Sequence, residues 1–192
     1  MKQTVMLMAG DESRLTMLVD SLSQAGFDVV ARFSPKENLL LRVNEIDPDL
    51  IVIDLDVPEH GLLTQLKVLN ELKPKPVVLF AEKGEGPVVN AVVKAGVSAF
   101  VIDGLTARRI KPVMDLAMAR FKETSSLQQE LEKTKTSLKD RKTIDQAKGI
   151  IMKQRQVDEA VAYKALREMA MKQNMKIPDV AKSIISVAEL LT

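Results

Sequence analysis

The 192-residue chain contains no cysteine and no tryptophan, a single histidine, and only 3% aromatic residues. The lack of cysteine excludes disulfide bonds. No apolar run approaches the ~20 residues that a helix needs to cross a bilayer, and no signal peptide is evident. Because aromatic residues are scarce, the core must be aliphatic and built from Val, Ile, Leu, Ala and Met. We therefore expect a cytoplasmic protein without disulfides and without a membrane partner.

Charge is unevenly distributed along the chain, although the formal net charge is only +2. Residues 1–110 contain 12 Lys and Arg against 15 Asp and Glu, whereas residues 111–192 contain 16 against 11. The front part therefore carries −3 and the rear part +5. A positive rear part favours a polyanionic partner, while ordinary solvated lysines are the alternative at so modest an excess.

Five short runs rich in Val, Ile and Leu alternate with helical patterns in the first half of the chain. The runs are Val5–Ala9, Asp28–Phe33, Leu50–Asp54, Pro76–Ala81 and Ala99–Ile102. Nearly continuous apolar strands that alternate with helices predict a parallel sheet covered on both faces. We expect an α/β flavodoxin-like domain over residues 1–110, in which ligands lie at the carboxyl ends of the strands.

Acidic residues stand at two of these strand ends, because Asp11 follows the first run and Asp54 ends the third. Two such carboxylates can bind a divalent cation such as Mg²⁺ through oxygen, or they form a relic acidic cluster. The segments AGDESR and PDLIVIDLDVPEHG resemble the receiver domain of bacterial response regulators. This resemblance puts Asp54 in the phosphoacceptor position and matches Asp11 to one Mg²⁺-binding carboxylate.

Three positions depart from the receiver pattern, and each change removes a group that handles phosphate. Gly10 stands before Asp11 where receivers usually carry two acids, Ala81 replaces a Ser or Thr, and Asp103-Gly104 replaces a Lys-Pro pair. At ~5 Å and an effective dielectric constant of ~20, each unit charge is worth about 3 kcal/mol, so an acid in place of that lysine disfavours a phosphoryl group. We predict that Asp54 is structural and that a protein partner acts on this domain instead.

The middle of the chain predicts one long helix. From Thr106, a candidate helix N-cap, to Arg155 the only helix breakers are Pro112 and Gly149. Apolar or small residues recur in three- and four-residue steps, with one gap at Arg120 beside Phe121. They are Val113, Ala117, Thr124, Leu127, Leu131, Thr134 and Leu138. This narrow seam is typical of a two-stranded coiled coil, whereas a helix that lies along its own domain needs a wider apolar stripe. We predict a coiled-coil linker over residues 111–140 that forms a parallel homodimer.

The rear of the chain predicts a small helical bundle with two rows of cations. Its helices are the end of the long helix to about Arg155, a second from Asp158 to about Lys172, and a third from Pro178 to about Leu190. Arg141, Lys148 and Arg155 recur every seven residues, so they lie within about 40° of one another around a helix. Lys164 and Arg167 share a face of the second helix, with Lys172 beside them. Either these rows contact nucleic-acid phosphates, or they are solvated lysines and local pairs such as Arg141 with Asp145.

Tyr163, the only tyrosine, directly precedes Lys164 in the second helix of the predicted bundle. Stacking on an unpaired base, worth ~1–3 kcal/mol, is one role for such a side chain. Half-buried packing beside Val161, Ala165 and Leu166 is the other. The sequence leaves the choice between them open.

The order R-x-x-I-x-x-A-K-G-I-I-M, A-Y-x-x-L-R-x-x-A-M and V-A-x-x-I in residues 141–192 closely resembles the ANTAR domain, the RNA-binding module of transcription antitermination regulators. Over its whole length, the chain is similar to regulators of the nitrate/nitrite-assimilation and amidase types, and its front half looks closest to the nitrate-responsive subgroup. The resemblance implies a regulator rather than an enzyme. It implies binding to hairpins in a messenger leader, which prevents the terminator stem from forming.

The resemblance also implies how such a protein is controlled. Family members with degraded receivers are typically restrained by a ligand-sensing partner protein, in agreement with the missing phosphate chemistry here. The rival interpretation is a two-component response regulator that is driven by phosphorylation and binds DNA. Such a regulator needs a recognition helix suited to the major groove, and Ala-Tyr-Lys-Ala-Leu-Arg lacks the expected density of Asn, Gln and Arg. A structural scaffold that binds no nucleic acid is the third possibility.

Overall fold

A computed structural model describes residues 2–103 and 106–190 of the chain. Gly104, which belongs to one of the predicted departures, and residues 191–192, the end of the predicted bundle, lie outside the described residues. The elements in chain order are β1 (Thr4–Ala9), α1 (Glu12–Gln24), β2 (Asp28–Phe33), α2 (Leu39–Ile46), β3 (Leu50–Leu55), α3 (His60–Leu72), β4 (Val77–Ala81), α4 (Gly86–Lys94), β5 (Ala99–Ile102), α5 (Ala107–Arg155), α6 (Glu159–Gln173) and α7 (Ile177–Leu190). The chain divides into two compact units, Met1–Ser125 and Ser126–Thr192.

The first unit is built on a five-stranded parallel sheet in the order β2-β1-β3-β4-β5. This is the flavodoxin-like strand order, and the predicted fold class is confirmed. Each of the five predicted runs forms a strand whose ends differ from the prediction by at most one residue. The central strands β3 and β4 are buried along almost their whole length, which explains why their sequences show no polar alternation.

Helices cover the sheet on both faces. On one face, Leu18 and Leu22 of α1 pack with Ile110, Met114 and Ala117 from the first turns of α5. On the other face, side chains of α2 and α3 pack over the sheet, including Leu39, Val43, Leu66 and Leu69. The core of this unit therefore extends into α5 beyond residue 110, where the sequence had suggested that the domain ends.

Helix α5 spans 49 residues and ends at Arg155, as the sequence predicted. Two residues of the predicted seam have a different use from the one expected, because Ala117 is fully buried in the core of the first unit and Val113 packs against that core. The seam residues of the second unit remain exposed: Leu127 by 61%, Leu131 by 53% and Leu138 by 56%. This long helix fits a coiled coil whose seam begins near Leu127 rather than at Val113.

In the second unit the end of α5 packs with α6 and α7 around a small aliphatic core. Its buried residues are Ala147, Ile151, Ala162, Leu166, Ala170, Val180 and Ala181. Four of these seven are alanines, whose small side chains allow the helices to approach closely. Val161 does not belong to this core, because it is 48% exposed, whereas the neighbouring Ala162 is fully buried.

The ends of α6 are fixed by specific caps. The side chain of Asp158 accepts a hydrogen bond from the Val161 amide at 2.8 Å, so Asp158 is the N-cap residue of α6. At the other end, Asn174 adopts a left-handed backbone conformation with φ 52°. The Met175 amide then donates to the Ala170 carbonyl at 3.0 Å and the Asn174 amide to the Met171 carbonyl at 3.3 Å, the two bonds of a Schellman motif.

Candidate functional site

Asp54 lies in β3 next to its last residue and is 1% exposed. Nη2 of Arg14, in the first turns of α1, lies 2.6 Å from Asp54 Oδ1 and donates a hydrogen bond to it. Nη1 of the same guanidinium donates to Glu82, the residue that follows β4. Arg14 therefore links the ends of β3 and β4, and its positive charge lies directly against the residue in the phosphoacceptor position.

Two opposing influences act on the Asp54 carboxyl group. Burial raises the pKa of Asp54 above its ordinary value, because a carboxylate loses hydration inside the protein. The Arg14 guanidinium acts in the opposite direction through its charge and its hydrogen bond. Without Arg14, the carboxylate of Asp54 would be a buried charge with no cation in contact.

Asp11 is engaged locally in the capping of α1. Its Oδ1 accepts hydrogen bonds from the Ser13 amide and the Ser13 hydroxyl, both at 2.6 Å, and from the Arg14 amide at 3.4 Å. These bonds lower the pKa of Asp11. Capping of this kind is a sufficient structural reason for an acid at this position.

The arrangement of Asp11 and Asp54 does not fit the Mg²⁺ site that the receiver resemblance suggested. Asp54 is bonded to the guanidinium of Arg14, and Asp11 caps a helix. Within residues 2–103 and 106–190, no group of three or more His, Cys, Asp or Glu side chains is placed to hold a metal ion. We therefore derive no step through a cation at Asp11 and Asp54.

The other two departures from the receiver pattern lie at neighbouring strand ends. Ala81 is the last residue of β4 and is only 2% exposed, so no hydroxyl is present beside Asp54 from this position. Asp103 follows β5, is exposed, and has a left-handed backbone with φ 47°. The sequence reasoning missed Arg14 and Glu82. The signal for Arg14 was a cation in AGDESR, in the first turn of the helix that follows β1.

In the second unit, a groove along α5 and the start of α6 brings together three of the residues predicted to contact RNA. Arg141, Lys148 and Tyr163 all line it. Tyr163 is 43% exposed, which fits half-buried packing and also leaves part of the ring accessible from the groove. The groove is not basic, because the cations Lys133, Arg141 and Lys148 are accompanied by the acids Glu132, Asp140, Asp145 and Glu159.

Lys148 is held by two of these acids. Its Nζ lies 2.7 Å from Asp145 Oδ1 and 2.5 Å from Glu159 Oε1, and its side chain is only 14% exposed. The hydrogen bonds that Lys148 donates to Asp145 and Glu159 raise the pKa of Lys148, and the lysine lowers the pKa of Asp145. Lys148 thus ties α5 to α6 and is not available to a phosphate in the way that the heptad spacing predicted. The alternative pair of Arg141 with Asp145 is not formed within the described residues, where Asp145 is within ion-pair distance of Lys148.

The remaining predicted cations, Arg141, Arg155, Lys164, Arg167 and Lys172, are exposed. In the part of the chain that the structure describes, none of these five has a carboxylate within ion-pair distance. The structure groups them differently from the sequence, because Arg155 shares a groove with Lys172, whereas Arg141 lines the groove beside Tyr163. Arg167 lines a third groove together with Lys176, a cation that the sequence reasoning missed.

No helix within the described part of the chain is long and apolar enough to cross a membrane. This agrees with the composition, in which charged residues make up 28% of the chain.

Comparison with known families adds to this geometry. Residues 132–185 match the ANTAR domain. The match begins in the second half of α5 and covers α6 and most of α7. It includes every residue that we predicted to contact RNA.

Two relatives and one solved structure are also similar to this chain. The transcriptional regulatory protein PdtaR of Mycobacterium tuberculosis is 23% identical over 93% of this chain and 88% of its own length. The nitrate regulatory protein of Klebsiella oxytoca is 31% identical over 46% of this chain, although the match spans only 22% of that protein. The signal receiver domain of the response regulator NarL from Mycobacterium tuberculosis superposes with a TM-score of 0.54 at 20% identity, covering 61% of this chain and 97% of that one. The last comparison shows the fold of the first unit.

Proposed function

We propose that this chain, which has a receiver fold in its first unit and matches the ANTAR domain over residues 132–185, is an RNA-binding transcription antiterminator. Its similarity to PdtaR and to a nitrate regulatory protein supports this proposal. In this proposal the second unit binds hairpins in a messenger leader and prevents the terminator stem from forming. A protein partner that senses a ligand restrains the regulator. The role is regulatory, and no catalytic step is assigned to any residue.

The observation that carries the RNA proposal is the set of exposed cations without ion pairs within the segment matching the ANTAR domain. Arg155, Lys164, Arg167 and Lys172 need not break an existing ion pair before they contact a phosphate. When such cations contact a phosphate backbone, the counterions of the phosphates are released. This release favours binding and makes the affinity strongly dependent on salt. The unstacked bases of a hairpin loop then allow the protein to recognise a particular RNA sequence.

Control by a partner instead of by phosphorylation is supported by the contacts of Asp54. A phosphoryl group on this carboxyl would have to displace the Arg14 guanidinium from a buried ion pair. Ala81 offers no hydroxyl to a phosphoryl group, and Asp103 adds a negative charge at a neighbouring strand end. Because the usual groups that detect a phosphate are missing, a binding protein is the simpler source of a signal.

Dimerisation through α5 is the third part of the proposal. Leu127, Leu131, Thr134 and Leu138 follow four-, three- and four-residue steps, and all four side chains are exposed. Burying three leucines against the same seam of a second copy is the ordinary use of such a pattern. When one bundle of a dimer has bound a hairpin, the second bundle is held close to the neighbouring hairpin. Its effective concentration there is higher than that of a separate chain.

One binding titration tests the central claim. The full-length protein is titrated with a leader RNA that contains tandem hairpins and, in parallel, with duplex DNA of the same sequence at near-cellular salt. We expect tight binding to the RNA and weak binding to the duplex. Preference for the duplex would establish the DNA-binding rival, and the absence of binding to either would leave only a protein scaffold.

A further inference from the structure

Met171 is the most exposed methionine that the structure describes. It lies on α6 and is 73% exposed to solvent. It lines two grooves at once. Arg167, Met175 and Lys176 border it in one groove, and Arg155 and Lys172 in the other. We call this surface the Met171 face and define it by Arg155, Arg167, Met171, Lys172, Met175 and Lys176.

The charge of the Met171 face differs from that of the groove beside Tyr163. The two grooves that meet at Met171 contain four cations and one acid, Glu168. None of the four cations forms an ion pair within the described residues. The groove beside Tyr163 has three cations against four acids, and its most buried cation, Lys148, is already neutralised. A polyanion is therefore attracted to the Met171 face more strongly than to the groove that contains Tyr163.

The backbone holds the two methionines of the face in place. Asn174 reverses the chain in a left-handed conformation, and the Met175 amide is anchored to the Ala170 carbonyl at 3.0 Å. Met175 is thereby fixed at the end of α6, where it lines the same groove as Met171 and remains 44% exposed. Two exposed thioether side chains offer a polarisable, adaptable apolar surface, and sulfur makes favourable contacts with aromatic rings.

From this arrangement, and resting on the proposed RNA function, we propose that the Met171 face is the site that binds an unpaired base of the RNA loop. The base stacks on Met171 and Met175. Arg167 and Lys176 on one side and Arg155 and Lys172 on the other bind the phosphates that flank it. An apolar surface of a partner protein would leave the four cations around the two methionines without anionic partners. A nucleotide presents an apolar ring and anionic phosphates together, so it matches both parts of the face.

The test uses full-length protein and a hairpin RNA that the wild-type protein has enriched from a pool with a randomised loop. Affinities are measured for this hairpin and for versions in which each loop base in turn is made abasic. We expect Met171→Ala to weaken binding to the intact hairpin by about three- to tenfold, the range of a sulfur–aromatic contact. The variant and the wild type should bind equally to one particular abasic hairpin, the one that lacks the stacked base.

Two control variants separate stacking from other effects. Met171→Leu keeps an apolar side chain of similar size and should retain most of the affinity. Val161→Ala truncates another exposed side chain of α6 and should leave the affinity unchanged. Thermal unfolding of Met171→Ala should match that of the wild type, because the side chain is largely exposed.

Two outcomes would overturn the inference, and they differ from failure of the proposed function. Met171→Ala that binds the intact hairpin as tightly as the wild type would remove Met171 from the interface. An equal loss of affinity on every abasic hairpin would remove the base contact. In both cases the wild-type protein still binds RNA, whereas failure to enrich any hairpin would refute the proposed function itself.

Discussion

Nη2 of Arg14 lies 2.6 Å from Oδ1 of Asp54, and the same guanidinium also bonds Glu82. A side chain on α1 thus supplies the positive charge beside the residue that the receiver resemblance places in the phosphoacceptor position. The contact is internal to the protein and needs neither a metal ion nor a phosphoryl group. It joins the end of β3 to the residue that follows β4 through a side chain of α1.

Replacement of Arg14 by methionine should destabilise the first unit, because it leaves the buried Asp54 carboxylate without a cation. Removing one partner of a fully buried pair costs roughly 3–5 kcal/mol, and we expect about 2–3 kcal/mol here because Arg14 is 20% exposed. Urea unfolding of the variant measures the change. The double variant Arg14→Met/Asp54→Asn should recover part of the loss, and strict additivity of the two single changes would contradict the pairing.

Incubation with a small-molecule phosphodonor and Mg²⁺ should leave Asp54 unmodified. The reason is that Arg14 occupies the carboxylate and that Ala81 and Asp103 provide none of the usual phosphate contacts. Mass spectrometry of the intact protein, with Asp54→Asn as the matched control, gives the answer. A stable phosphoryl group at Asp54 in the wild type would instead support the phosphorylation-driven rival.

Charge reversal at Arg167 should weaken RNA binding and reduce its dependence on salt. If Arg167 contacts one phosphate, the slope of log affinity against log salt falls by about 1. Lys67→Glu on α3 changes the net charge by the same amount at an exposed position of the first unit and serves as the control. Identical affinities and slopes for the two variants would exclude Arg167 from the interface.

Lys148→Met should lower the melting temperature of the second unit without the change in salt dependence expected for Arg167→Glu. The pKa of Asp145 is lowered and that of Lys148 is raised by their contact. The contribution of the pair is therefore present above 3.8, the ordinary pKa of Asp145, and is lost as pH falls through its lowered pKa. At the alkaline end, it is complete below 10.5 and is lost as pH rises through the raised pKa of Lys148. The melting temperatures of the wild type and of Lys148→Met should differ most between these two pH limits. Equal melting temperatures there would refute a stabilising contact of Lys148 between α5 and α6.

Substitution of lysine for both Leu131 and Leu138 should convert a dimer into a monomer, since charges would face each other along the seam of α5. Analytical ultracentrifugation of the full-length protein measures this. Leu116→Lys is the matched control, because Leu116 is 50% exposed on the same helix and lies outside the seam. A wild-type protein that is monomeric at high concentration, with and without RNA, would end the coiled-coil proposal.

The sequence by itself determined the strands, the long helix and the caps, because these depend on local patterns. Runs of Val, Ile and Leu form strands wherever both faces are covered, and Asp158 caps α6 through its own neighbours. The fold of the first unit followed from the alternation of strands and helices alone. The ANTAR resemblance likewise lay in a contiguous motif that a family comparison confirmed.

Only the tertiary structure decided which charges meet. Arg14 and Asp54 are 40 residues apart, and Lys148 and Glu159 are joined across two helices. The heptad spacing put Lys148 in a row with Arg141 and Arg155, but it could not reveal that two carboxylates neutralise this lysine. It also could not show that Met171 lies between two basic grooves. Periodicity describes one helix at a time, whereas the electrostatic character of a surface depends on every element that contributes to it.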